Sequence, residues 1–238
     1  GMIFQEPMTA LNPVHTIARQ VGEPLRLHRG LTGAAARKQV LALLERVGIP
    51  DAAARLDAYP HQFSGGQRQR IGIAMALACG PDLLIADEPT TALDVTIQKQ
   101  ILDLIQSLVA ERGMALILIS HDLGVIAQNV SSMLVMYGGS VVESGPTAAV
   151  FARRAHPYTR GLFAARPALG APRGTRLATI PGSVPELVEL PPGCPFAGRC
   201  AYTVDACYST RPPATMFAPG HEVRCIRLEE IAAGKVPA

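Results

Sequence analysis

Residues 83–89 read Leu-Leu-Ile-Ala-Asp-Glu-Pro, and this stretch decides the fold. The run 82–87 (DLLIAD) is short and nearly all apolar, the pattern of a strand buried on both faces of a parallel sheet. Asp94 follows as a helix cap, and the periodicity of Ile97, Ile101, Leu104, Ile105 and Leu108 predicts a helix running to about Arg112. Gly113 supplies the stop signal. Met114–Ile119 (MALILI) reads as a second buried strand. Strand, helix, strand at this spacing indicates a right-handed crossover in a parallel α/β sheet.

Further out, residues 35–47 place Val40, Leu43, Leu44 and Val47 on one helical face before Gly48. Residues 133–143 predict a hairpin turning at Gly138-Gly139. A helix is expected over roughly 147–165, followed by a Pro/Gly-rich segment without periodicity. Composition changes at residue 145. The first part carries 11 Lys/Arg against 13 Asp/Glu, the remainder 11 against 6, and 13 of the 20 prolines lie in the remainder. A domain boundary is expected there.

The bulk numbers exclude several classes. A net charge of +3 is too weak to imply nucleic-acid binding. No apolar run approaches the roughly 18 residues that span a bilayer. Gln5, Glu6, Pro7, Asn12 and Pro13 leave no apolar signal-peptide core in the opening residues. A cytosolic address is expected.

Chemistry is concentrated at strand and helix ends. In a parallel α/β sheet the ligand sits beyond the carboxyl ends of the strands. Asp87 is placed there to hold a Mg²⁺ bridging phosphate oxygens, and Glu88 to orient or deprotonate an attacking water. Their plain alternative is an acidic pair capping the next helix. In FSGGQRQR (residues 63–70) the glycines open a helix, where backbone N–H groups and the partial positive charge favour an anion. Ser64, Gly65, Gly66 and Gln67 are the candidate phosphate contacts, although Ser-Gly-Gly alone is more often a turn. His121, in Ser-His-Asp after the second strand, can reach a γ-phosphate. Gln5, after Met2-Ile3-Phe4, can touch Mg²⁺ or water. Each of the last two is weak alone.

Together, and in this order, these residues resemble the ABC transporter ATPases. In that resemblance Gln5 is the Q-loop residue, 63–67 the signature, 83–88 Walker B with Glu88 catalytic, Thr91–Asp94 the D-loop, and His121 the switch histidine. It implies a P-loop NTPase-like α/β ABC ATPase domain over residues 1–145, N-terminally incomplete, with a helical subdomain at about 8–75. It also implies a head-to-tail dimer with a second ABC ATPase subunit, holding ATP and Mg²⁺ at the interface. DNA-repair ATPases share these motifs but insert a long coiled coil, and here only 58 residues separate Gln5 from Ser64. No G-x-x-x-x-G-K-[ST] string occurs in these residues. The expectation is therefore a truncated sequence whose isolated chain binds ATP poorly. The alternative is a non-hydrolysing partner that supplies only a signature in trans.

The tail narrows the resemblance. His156-Pro157-Tyr158-Thr159, Ile180-Pro181-Gly182 and Gly193-Cys194-Pro195-Phe196 with Arg199-Cys200 are similar to the small irregular C-terminal extension (146–238) of peptide/nickel importer ATPases. This implies an importer of dipeptides, oligopeptides or a related solute, seated on the cytoplasmic face of the membrane. Its expected partners are two membrane-spanning permease subunits and, indirectly, an extracytoplasmic solute-binding protein. Cys194, Cys200, Cys207 and Cys225 are spaced C-x5-C-x6-C-x17-C. Such thiolates can wrap Zn²⁺ or a [4Fe–4S] cluster, and the spacing alone does not choose. Some members of the resembled family carry an iron–sulfur cluster on four tail cysteines, which favours that group. The plain alternative is four reduced thiols in a small core. Cys79 reads as a small buried hydrophobe, and the tail's arginines as a solvated face.

Overall fold

The computed structural model describes residues 1–5, 10–166, 178–186 and 190–234. They form two compact units, Gly1–Val125 and Ile126–Ala238.

In the first unit, strand β1 (Met2–Ile3) leads towards Gln5. Helices α1 (Ile17–Arg29), α2 (Gly33–Arg46) and α3 (Gly65–Leu77) follow. Then come β2 (Leu83–Asp87), α4 (Val95–Arg112) and β3 (Ala115–Ile119). The three strands are parallel in the order β1-β2-β3, with Met2 opposite Ile85 and Asp87 opposite Ile119. The strand–helix–strand reading of 82–119 is thus realised. Helix α4 has the bounds its local chemistry dictates. Asp94 Oδ1 accepts from Ile97 N at 3.0 Å, and Gly113 closes the helix at φ 62°.

One core serves this unit. Ile17, Leu25, Leu44, Ile71, Ile73, Leu77, Leu84, Ile101 and Ile105 are all but sealed from solvent. Each such side chain contributes about 1.5–3 kcal/mol by leaving water. The strands themselves are buried on one face only, which corrects the expectation of strands buried on both. Leu116 and Leu118 of β3 pack against the helical core, while Ile117 and Ile119 stay about half exposed. Side chains alternate across a strand, and the described helices of this unit cover only the Leu116/Leu118 side of β3.

Helix α5 (Leu123–Asn129) spans the division between the units. In the second unit, β4 (Ser132–Tyr137) and β5 (Ser140–Pro146) form the predicted hairpin. Its Gly138 and Gly139 have φ 53° and 71°, the positive pair that a tight two-residue turn requires. Helices α6 (Thr147–Arg153) and α7 (Pro157–Ala164) replace the single helix expected over 147–165. Arg154 turns left-handed at φ 40°, and Pro157 opens the new helix with His156 as its cap. The tail contributes α8 (Ala206–Ser209), β6 (Thr215–Ala218), β7 (His221–Val223) and α9 (Leu228–Ala232). The antiparallel order is β4-β5-β7-β6, so the tail returns to pair with the hairpin, and residue 145 falls inside β5.

Glu143 of β5 fastens that return. Its carboxylate is buried and accepts from the N–H groups of Ala155 (2.8 Å) and His156 (2.9 Å), and pairs with His221 Nε2 at 2.7 Å. A buried carboxylate is tolerated because it is fully hydrogen-bonded in this way.

Candidate functional site

Four residues from three separate segments of the chain meet at the carboxyl ends of β1, β2 and β3. Glu88 is the residue after β2, and its N–H donates to Ile119 O at 3.0 Å, so the strand pairing continues one step further. Its φ of 44° is left-handed, rare for a residue with a side chain. Such a conformation costs about 1–3 kcal/mol and recurs where a side chain must be aimed. The carboxylate accepts from Thr91 Oγ1 at 2.7 Å and from Gln5 Nε2 at 3.1 Å, both on Oε2. Its Oε1 lies 3.1 Å from His121 Nδ1.

Thr91 first, then His121, hold the Glu88 carboxyl below its ordinary range; partial desolvation opposes them and Gln5 adds a smaller pull. Glu88 is therefore ionised at neutral pH. His121 is held between β3 and α5, where Asp122 N donates to Ser120 Oγ (3.0 Å) and Gly124 N to Asp122 Oδ1 (2.7 Å). Its ring is 75% exposed and approachable by a ligand. Asp87 ends β2, half-buried beside Glu88, and no described residue hydrogen-bonds its carboxylate.

Ser64 and Gln67 form a reciprocal cap at the start of α3. Ser64 Oγ accepts from Gln67 N at 3.3 Å, and Gln67 Oε1 accepts from Ser64 N at 3.1 Å. The N–H groups of Gly65 and Gly66 belong to the first turn, which has no acceptor within the helix. Gly66 is also a packing requirement, because a Cβ there would sit 2.8 Å from Ile97 Cγ2 on α4. Asp94 spends its carboxylate on the α4 cap. Gln98 Nε2 donates to Thr90 O and Leu93 O, which fixes the intervening loop.

Sequence reasoning did not single out Thr91 as a partner of Glu88. The available signal was a hydroxyl three residues beyond an acidic strand end. Gln98 carried no signal at all.

In the second unit, Cys194, Cys200, Cys207 and Cys225 line one pocket, with His156, Phe196 and Ile231 also on its walls. Gly193 makes the approach possible. A Cβ at Gly193 would lie 2.3 Å from Cys207 O, and the Cys194 N–H donates to that same oxygen at 2.8 Å. Burial pushes the Cys194 and Cys200 thiols up, and Cys225 to about 11. The expected metal site is met only to that extent. Among the described residues no three His, Cys, Asp or Glu side chains are arranged to hold a metal ion. Cys79 is half-buried rather than buried, its thiol donating to Pro24 O at 3.3 Å.

The sequence pattern of the family described as "ABC transporter" matches residues 1–91, and that of "Oligopeptide/dipeptide transporter, C-terminal region" matches residues 142–207. A Brucella ovis protein named "Putative peptide import ATP-binding protein" is 56% identical over 98% of this chain and 70% of its own length. The chain belongs to the ABC transporter ATPase family. A second relative of this ABC ATPase is the Bacillus subtilis "Dipeptide transport ATP-binding protein DppD", 52% identical over 94% of this chain and 67% of its own.

Solved ABC cassettes share the fold. The dimeric post-hydrolysis state of the ATP-binding cassette MJ0796, bound to ADP and Pi, superposes at a TM-score of 0.54 with 31% identity, covering 62% of each chain. CbiO1 of Clostridium perfringens, part of a cbiONQ transporter complex, gives 0.56 at 30% identity, over 65% of this chain and 59% of its own. No described helix of this ABC ATPase is long and apolar enough to cross a membrane.

Proposed function

We propose that this chain is the ATP-hydrolysing subunit of an importer for di- or oligopeptides, with Glu88 as its general base. One observation carries the reading: Gln5, Thr91 and His121 converge on a single ionised carboxylate at the carboxyl end of the sheet. Such a group accepts a proton from an attacking water only if it is charged and fixed, and three partners do both. His121 contacts Oε1, which leaves its exposed ring free to report on a γ-phosphate. Asp87 would hold the Mg²⁺ that neutralises phosphate charge.

The exposed start of α3 fits the second half of a composite site. Ser64, Gly65, Gly66 and Gln67 would receive the γ-phosphate of ATP held by the phosphate loop of a second ABC ATPase. Asp94, committed to its cap, would act by positioning that loop. ATP then joins the two subunits and hydrolysis releases them. We assign residues up to about 145 to the ATPase domain and the remainder to the importer extension. Its neighbours would be two permease subunits at the cytoplasmic face, with a solute-binding protein on the far side. Related solutes such as nickel fall within the same reading.

The test is ATP-driven dipeptide uptake into proteoliposomes holding the complete subunit with its permeases. Uptake that depends on ATP supports the proposal, and uptake indifferent to ATP overturns it. A partner that supplied only the signature would leave uptake unchanged when Glu88 is neutralised.

The four cysteines are proposed ligands of a sulfur-bound group, [4Fe–4S] in preference to Zn²⁺, serving to cross-link the tail. What supports this is their gathering on one buried, mainly apolar pocket. When bound, the group would supply bonds that fold an irregular segment too small for a core of its own. Iron, acid-labile sulfide and zinc measured per chain after anaerobic purification decide it. Four reduced thiols with no metal would end this reading and leave the ATPase assignment intact.

A further inference from the structure

Six arginines and no acidic residue occupy positions 144–185. Three of them, Arg153, Arg154 and Arg160, line one open pocket with Phe163 and Ala164. The break between α6 and α7 creates it: Arg154 is left-handed, its N–H still donating to Val150 O at 2.9 Å, so consecutive arginines leave the helix in different directions.

Each of these side chains has a neighbour that leaves its charge uncompensated. Arg154 lies over the Phe163 ring at 5.5 Å, and Phe163 is braced edge-on by Phe151 with ring centroids 4.7 Å apart. Arg153 lies over Phe217 at 5.9 Å. Arg160 donates its Nε to Arg154 O at 2.9 Å, which fixes the plane and leaves its two terminal nitrogens available. None of the three forms an ion pair with a described carboxylate, although five other Arg or Lys pairs exist among the described residues. A guanidinium over an aromatic face gains a cation–π attraction without spending its N–H donors, and its planar fork matches a tetrahedral oxyanion. Three cations around one concavity also repel each other, and a bound anion of charge two or more relieves that repulsion.

We propose that Arg153, Arg154 and Arg160 form a binding site for a phosphate-bearing anion, separate from the ATP site. The ligand is a phosphomonoester or phosphodiester group, from a soluble metabolite or from an anionic phospholipid headgroup. The basic tail is then a recognition surface, and the plain reading of its arginines as a solvated face is set aside at these three positions.

Phenylglyoxal labelling of the unaltered full chain, read residue by residue by mass spectrometry, tests this without a variant that must fold. The probes are inorganic pyrophosphate at constant ionic strength, phosphatidylglycerol vesicles, and phosphatidylcholine vesicles. We expect labelling at the three pocket arginines to slow at least fivefold while Arg26, on the other unit, is unaffected. Protection by pyrophosphate alone identifies a soluble ligand; protection by phosphatidylglycerol but not phosphatidylcholine identifies the headgroup. Equal rates with and without every probe overturn the proposal, and so does equal slowing at Arg26. In a second measurement, Arg153→Gln with Arg160→Gln weakens binding of the protecting probe at least tenfold. Unchanged affinity in that double variant also overturns it.

Discussion

Oε1 of Glu88 lies 3.1 Å from Nδ1 of His121, across the ends of two adjacent parallel strands. The strand register brings them together, and the left-handed backbone at Glu88 turns the carboxylate towards its partners. The opposite oxygen belongs to Gln5 and Thr91.

Thr91 exerts the largest pull on the Glu88 carboxyl. Thr91→Val keeps the shape and removes the hydroxyl, so the Glu88 pKa rises towards its ordinary value. A base is active when ionised, and the acidic limb of the rate–pH profile therefore moves to higher pH. Turnover at pH 8 should change less than turnover at pH 5.5. A profile that keeps its acidic limb in place would remove Thr91 from the account.

Gly66→Ala sets two effects against each other. Alanine favours the helix by about 1 kcal/mol, but its Cβ meets Ile97 Cγ2, and overpacking typically costs about 1–3 kcal/mol. We expect net destabilisation in the unaltered background and net stabilisation when Ile97→Ala is already present. Urea midpoints of the four proteins in this cycle give the answer. Additive effects would mean that the two residues do not touch.

His156 is buried, and desolvation lowers it to about 4, against an upward pull from Glu143. The unfolded chain binds a proton near pH 6.5 that the fold refuses. Stability from this residue is complete above about pH 6.5 and falls as pH drops towards 4, by on the order of 3 kcal/mol. His156→Asn retains a cap acceptor for Tyr158 N and cannot titrate there. Its stability should decline less than that of the unaltered chain between pH 7 and 4.5. Parallel declines would contradict the assignment of a neutral, buried ring.

What the sequence disclosed was local. Asp94 and Gly113 bound α4 because a cap and a left-handed stop act within one turn. Gly138-Gly139 marked the hairpin for the same reason, and Glu88 and His121 were legible as residues just past apolar strands. The break before Pro157 was legible too, since the ring disfavours helix in the preceding residue, yet the helix-favouring residues on both sides of it masked the signal. Two features were not readable. The half-exposed Ile117 and Ile119 depend on what covers a sheet face, which is decided far along the chain. The gathering of Cys194 and Cys207 depends on backbone contact through Gly193, which no spacing rule encodes.

Glu88→Gln in the complete subunit assembled with its permeases is the most direct test of the central claim. The amide keeps the size and one acceptor oxygen but cannot take a proton. The account predicts Mg-ATP binding within about threefold of the unaltered complex and ATP turnover lower by about 10²–10⁴-fold. Turnover at the unaltered rate, with binding intact, would contradict the assignment of Glu88 as the base.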